Sequence, residues 1–185
     1  MIWLNNLRYK IGHYFLKQEL VDFSRERGFD GFENSKSIGI LFDATQKDDL
    51  ELATRYVKYL KDHKKRIKSI GFFQGKTIPD MVFSKLEFDY FTKKDLNWYF
   101  KPMPGFVDQF INEEFDVLID LNLDLAFPLQ YISELSKAKF KIGKFQEGNT
   151  HFDFMIDVPE DKGIKYFLRN LDLYIQQINT IKGNE

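Results

Sequence analysis

The chain has 185 residues, 43% of them hydrophobic and 20 of them phenylalanine, which suits one globular domain with a core of its own. With 27 basic against 28 acidic side chains the net charge is −1, so no general attraction to nucleic acid or to an anionic membrane is expected. The lack of cysteine excludes disulfides, thiolate metal sites and cysteine nucleophiles.

Residues 2–23 place Leu4, Leu7, Ile11, Tyr14 and Phe15 at helical spacing, which predicts an amphipathic helix packed on the domain by that stripe. Arg8, Lys10 and His13 interrupt its apolar positions, so it lacks the core of a signal peptide. No run in the chain approaches the roughly 20 apolar residues that span a bilayer. The stripe, with Trp3 and Arg8, also has the makings of an interfacial membrane helix. Glu19, Asp22 and Glu26 follow at once and argue against it. The expectation is a helix docked on the domain or on a partner chain, no membrane anchor, and a cytoplasmic address.

Gly28-Phe-Asp-Gly31 reads as a turn-rich connector. Ser37-Ile-Gly-Ile-Leu-Phe-Asp43 is a short apolar run with the length of a buried strand. Leu50, Ala53, Tyr56, Val57 and Leu60 mark one face of a helix over 47–65, which ends on Lys64, Lys65 and Arg66 where the helix dipole favours positive charge. A second strand follows over 68–73 and a third over 88–91. A helix is predicted over 106–113, just past a proline. Phe115-Asp-Val-Leu-Ile-Asp-Leu121 is the strongest strand in the chain. A helix over 128–138, a strand over 140–143 and an alternating, edge-like strand over 152–157 come next. Ile164, Phe167, Leu168, Leu171, Ile175, Ile178 and Ile181 define a long C-terminal helix.

Near-continuous apolar strands alternating with helices predict an α/β domain: a Rossmann-like, doubly wound, mostly parallel sheet with helices on both faces. Residues 1–35 form an N-terminal helix and connector, and 36–185 the single Rossmann-like domain. The two terminal helices are expected to pack together or on one sheet face.

Ligands of such folds bind beyond the carboxyl ends of the strands. That places Asp43 and Thr45 after the first strand, Gln74, Gly75 and Lys76 after the second, and Asp120, Asn122 and Asp124 after the strongest one. The ligand-binding candidates are Asp43, Thr45, Asp120 and Asn122, with Asp43 and Asp120 as a carboxylate pair for Mg²⁺ or acid–base work. The plainer role of each Asp is to cap a helix or turn. Several specific chemistries lack their motif. Asp43-Ala-Thr-Gln46 stands where a dinucleotide-binding turn needs glycines, and there is no Walker A sequence. Asp120-Leu-Asn-Leu-Asp124 begins like a calcium loop but continues with Leu125 where the glycine belongs. His13, His63 and His151 have no zinc spacing, and no serine stands in a nucleophile elbow. No cofactor, metal site or catalytic residue is therefore expected.

Lys61, Lys64, Lys65, Arg66 and Lys68 suit a solvated helix end better than a phosphate site. Phe88, Tyr90, Phe91, Trp98, Tyr99, Phe100 and Phe106 cluster among Lys93, Lys94 and Lys101. Such a segment is either a platform for a partner or a cover for the sheet. Trp98, Tyr99 and Phe100 are the partner-binding candidates.

Phe115-Asp-Val-Leu-Ile-Asp-Leu-Asn-Leu and Leu135-Ser-Lys-Ala-Lys-Phe-Lys-Ile-Gly143 resemble the N-terminal domain of heptosyltransferase-like glycosyltransferases, where a YDLVIDL strand precedes an AKxRIG strand. The whole chain also resembles a short Rossmann-like family of Bacteroidota-type bacteria. The resemblance implies the fold and, as one option, a sugar-nucleotide ligand. It assigns no catalytic residue, because the glycine-aspartate turn after that family's first strand is replaced by Asp43-Ala-Thr-Gln46. The expected function is a non-catalytic protein-binding or self-assembling module, with a small enzyme or sugar-nucleotide binder as the alternative.

Overall fold

A computed structural model describes residues 2–79, 82 and 87–182, except for the side chains of Ile2 and of 176–182. Ile178 and Ile181 of the expected C-terminal stripe thus lie outside the described side chains. Six strands form one all-parallel sheet: β1 (Ser37–Asp43), β2 (Arg66–Phe73), β3 (Phe88–Thr92), β4 (Val117–Leu121), β5 (Phe140–Lys144) and β6 (Phe154–Ile156). Their order is β3-β2-β1-β4-β5-β6, so the direction of winding reverses between β1 and β4. This is the Rossmann-like, doubly wound arrangement.

Alternation along each strand sends side chains to opposite faces. Ile38, Ile40 and Phe42 of β1 join Val117, Ile119 and Ile142 under α2 (Lys47–Asp62) and α5 (Ile164–Lys182). Leu41, Ile70, Phe72 and Leu118 point the other way, under α3 (Gly105–Asn112) and α4 (Phe127–Leu135). β1 and β4 are buried on both faces, which is why they read as unbroken apolar runs. β6 is short and lies at the sheet edge, as its alternating pattern predicts.

The first helix, α1 (Ile2–Val21), forms a third layer outside α4. The expected stripe is not the one that docks. Leu4, Leu7, Tyr14 and Phe15 are exposed, and the helix docks instead through Gly12, Leu16 and Leu20, with Leu16 meeting Phe127, Tyr131 and Leu135 of α4. A Cβ on Gly12 would lie 2.5 Å from the Tyr99 carbonyl oxygen and 2.9 Å from the Phe127 ring, so glycine sets how close the helices come. Tyr131 donates a hydrogen bond to Glu19, and Lys101 pairs with Glu19 at 2.9 Å. Among the described residues the terminal helices do not share a face: α1 lies over α4, and α5 covers the opposite side of the sheet.

The connector after α1 passes around the start of β5. Arg25 donates to the carbonyls of Ala138 (3.1 Å), Lys139 (2.8 Å) and His151 (3.3 Å), and Phe29 stacks on Phe140 at 4.1 Å. Lys65 then holds the connector's far end through the carbonyls of Phe32, Glu33 and Ser35.

Candidate functional site

At the winding reversal, the end of β1 is tied to β2. Asp43 accepts from the Thr45 backbone N–H at 2.8 Å and from the Gln74 amide at 2.7 Å, and Thr45 accepts from the Gln74 N–H at 2.9 Å. Asp48 and Asp49 occupy the first turn of α2. Burial raises the Asp49 pKa, and the charges of Asp124, Asp43 and Asp48 raise it further. This corner therefore carries an acidic field where dinucleotide-binding domains hold a phosphate.

Asp120 is elsewhere in the wall. It points beneath α4, buried, and accepts from the Asn122 N–H at 2.9 Å. Asn122 exchanges two hydrogen bonds with the Ala126 backbone, shaping the turn into α4, and Leu125 within that turn has a φ of 56°. No hydrogen bond links Asp43 with Asp120 among the described residues. Each accepts from a backbone N–H two residues further along its own turn.

Asp120 belongs to a buried polar cluster between α4 and the β5–β6 loop. Lys141 is 0% exposed, and its ammonium donates to the carbonyls of Ser133 (2.8 Å) and Glu134 (2.9 Å). Burial and the Arg25 charge bring its pKa down to about 7, against the pull of Asp153 and Glu134. Burial, then Lys141 and Arg25, lower His151 to about 3, so its 3.9 Å approach to Glu134 joins a neutral imidazole to a carboxylate. Burial raises Asp120 to about 6, although the Asn122 N–H, the nearby Ser133 hydroxyl and Lys141 favour its anion. That Ser133 hydroxyl is fully buried and makes no hydrogen bond of ordinary geometry. A Cβ on Gly143 would run into the Phe152 ring, which closes over the sheet beside this cluster.

A cleft of about 660 Å³ opens onto the cluster, between the end of α1, the connector, α4 and residues 146–151. A recess of about 10 Å³, lined by Asp120, Asn122 and Lys144, shares Gln130, Gln146 and His151 with that cleft. The structure thus brings two of the four ligand-binding candidates, Asp120 and Asn122, to the cleft's edge, and leaves Asp43 and Thr45 at the β1–β2 corner. Lys141, Glu134, Gln130 and Arg25 escape sequence reasoning. The one available signal is a lysine placed between Phe140 and Ile142 within a buried strand.

Trp98, Tyr99 and Phe100 lie in the loop between β3 and α3, against α1. Tyr99 stacks on Phe15 at 4.8 Å, and Phe100 meets Tyr9 at 4.4 Å with the Arg8 guanidinium 4.2 Å over its ring. Arg8 also donates to the Trp98 carbonyl. Tyr99 and Phe100 are partly buried, while Trp98 is 58% exposed and stands beside the free side of α1. Four of the five residues of the basic run make ties within the domain. Lys61 pairs with Glu87, Arg66 and Lys68 with Glu113, and Lys65 with the connector.

A model of a family of unknown function, DUF6913, matches residues 8–178. The chain belongs to that family. The match runs from the docked part of α1 through the whole sheet into α5, so the cleft and the α1–α4 contact both fall within it. No curated protein and no solved structure matches the chain. No described helix is long and apolar enough to cross a membrane. Among the described residues, no three His, Asp or Glu side chains are grouped to hold a metal ion.

Proposed function

We propose that this chain is a non-catalytic protein-binding or assembly module of the cytoplasm, with the outer side of α1 and Trp98 as its contact surface. The observation that carries this reading is that α1 docks through Gly12, Leu16 and Leu20 and turns a second, longer stripe of large apolar side chains outward. Trp3, Leu4, Leu7 and Tyr14 are all exposed there. A helix that served only to cover α4 would place that stripe inward. Exposed, clustered large apolar side chains mark interaction sites rather than ordinary surface.

Lys10 and Lys17 flank this face, so an amine-reactive cross-linker applied to intact cells tests it directly. Cross-links from either lysine to a protein are expected, and they should vanish in a Leu7→Lys, Trp98→Ala variant whose melting temperature is unchanged. Cross-links that persist in that variant, or map only to other lysines, would count against the reading.

A second reading places a small ligand such as a sugar nucleotide in the cleft. It is favoured by the convergence of Asp120, Asn122, Gln130, Lys144 and His151 on one recess. A thermal-shift screen against nucleotides, sugar nucleotides and Mg²⁺ addresses it, since a specific ligand raises stability by mass action. A shift that survives Gln130→Ala with Lys144→Ala would remove the cleft from consideration.

A further inference from the structure

The outward residues of α1 form a regular series. Leu4, Leu7, Ile11, Tyr14, Gln18 and Val21 are spaced three, four, three, four and three residues apart, the a and d positions of three heptads. Leu4 is 56%, Tyr14 59% and Val21 73% exposed. The docked residues Gly12, His13, Leu16 and Leu20 fall at b, c, f and c of the same heptads, so the seam points directly away from α4. A broad stripe with a period of 3.6 is what a helix needs to lie on a globular domain. A narrow stripe with a period of 3.5 is what it needs to pair with another helix.

We propose that α1 pairs with α1 of a second copy of this chain as a parallel, in-register, two-stranded coil; this rests on the protein-binding reading above and names its partner. Two features select this occupant. The first is charge. Trp3, Lys10 and Lys17 occupy g positions, and Arg8, Phe15 and Asp22 occupy e positions, Asp22 being the first residue past the helix. In a parallel pair each g side chain meets an e side chain five residues further along the other helix. Lys17 then meets Asp22 of the partner subunit, whereas Arg8 and Phe15 are held by Phe100 and Tyr99 of their own chain. One cation thus lies against a carboxylate, and no like charges are opposed. An antiparallel pair in full overlap sets Lys10 against Lys17 of the partner subunit.

The second feature is Gln18, the one polar seam residue. In the parallel register it faces Gln18 of the partner subunit, and the two amides satisfy each other. In the antiparallel register it faces Leu7 and loses its hydrogen bonds to water without replacement. A single polar a residue is a known means of setting register and two-strandedness. Docking on α4 already holds α1 helical, so pairing does not bear the cost of forming the helix. Because the docked side is opposite the seam, the two domains stand on the outside of the pair.

These 185 residues include no cysteine, which makes disulfide trapping clean. Light scattering after gel filtration should give twice the chain mass. Leu7→Lys with Tyr14→Lys should halve that mass and lower the melting temperature only by the concentration-dependent part that dimerisation supplies, since neither side chain belongs to the docked face. Leu7→Cys, a milder change, should oxidise to a covalent dimer, because parallel pairing sets residue 7 opposite residue 7. A dimer whose Leu7→Cys form cross-links only when mixed with Gln18→Cys would overturn the parallel register. A monomer that cross-links to a different protein through Lys10 or Lys17 would overturn self-association and leave the protein-binding reading standing. A monomer that instead co-sediments with phosphatidylglycerol vesicles would overturn both.

Discussion

Arg25 and Asp153 meet at 2.6 Å with side chains only 4% and 11% exposed, joining the connector after α1 to the loop before β6. The same Asp153 oxygen accepts from the Lys141 backbone N–H at 2.8 Å, so one carboxylate fixes both the connector and the start of β5. Removing Arg25 strips three carbonyls of their donor and leaves the buried Asp153 only the exposed Arg27, 3.4 Å away. Arg25→Ala should therefore cost about 3–5 kcal/mol in urea unfolding. Arg25→Lys should recover little, since an ammonium cannot reproduce a planar fork bonded to three carbonyls and a carboxylate. Full recovery by lysine would show that charge alone matters here.

Asp120 gives the opposite sign. Its pKa is about 6 in the folded chain, against an ordinary value of 3.8, so the folded state favours the protonated form. Its contribution to stability is whole below pH 4 and is lost as pH rises through 6. Asp120→Asn should stabilise the protein at pH 7.5 by about 2–3 kcal/mol and leave it nearly unchanged at pH 4. The new amide also gains the unpartnered Ser133 hydroxyl as an acceptor. Unfolding curves at the two pH values check this, and equal effects at both would refute it.

Lys141 works over a more alkaline window. With its pKa lowered to about 7 from 10.5, the unfolded chain binds the proton more readily, and the lysine's contribution is lost as pH falls from 10.5 through 7. Wild-type stability should accordingly rise between pH 7 and 9, and Lys141→Met should flatten that rise. Parallel slopes in the two proteins would place the ammonium in water.

Gly12→Ala tests the α1 contact. The substitution favours an isolated helix by about 1 kcal/mol, yet its methyl group meets a backbone carbonyl that cannot move aside cheaply. The expected result is a net loss of about 1–3 kcal/mol. Faster hydrogen exchange should be confined to α1 and the 96–103 loop. Unchanged exchange in α1 would mean that the helices have room to spare.

The strands and covering helices are legible in the sequence because each follows from a local rule. Ser37–Asp43 and Val117–Leu121 are apolar throughout since helices cover both faces of the sheet, and Lys47–Asp62 shows its buried face at helical period. The turn-holding roles of Asp43, Asp120 and Asn122 are equally local, each side chain reaching a backbone group two or four residues away. What lay beyond the sequence depends on partners far along the chain. Arg25 is bonded to residues 113 to 128 positions away, and Lys141 is buried only because the connector and α4 close over it. α1 is the sharpest case, because it is apolar on both sides and periodicity alone favours the stripe with more large residues. Tertiary packing chose the other side, where Gly12 lets two helices approach, since close contact over a small residue gains more dispersion energy than a bulky stripe held at a distance.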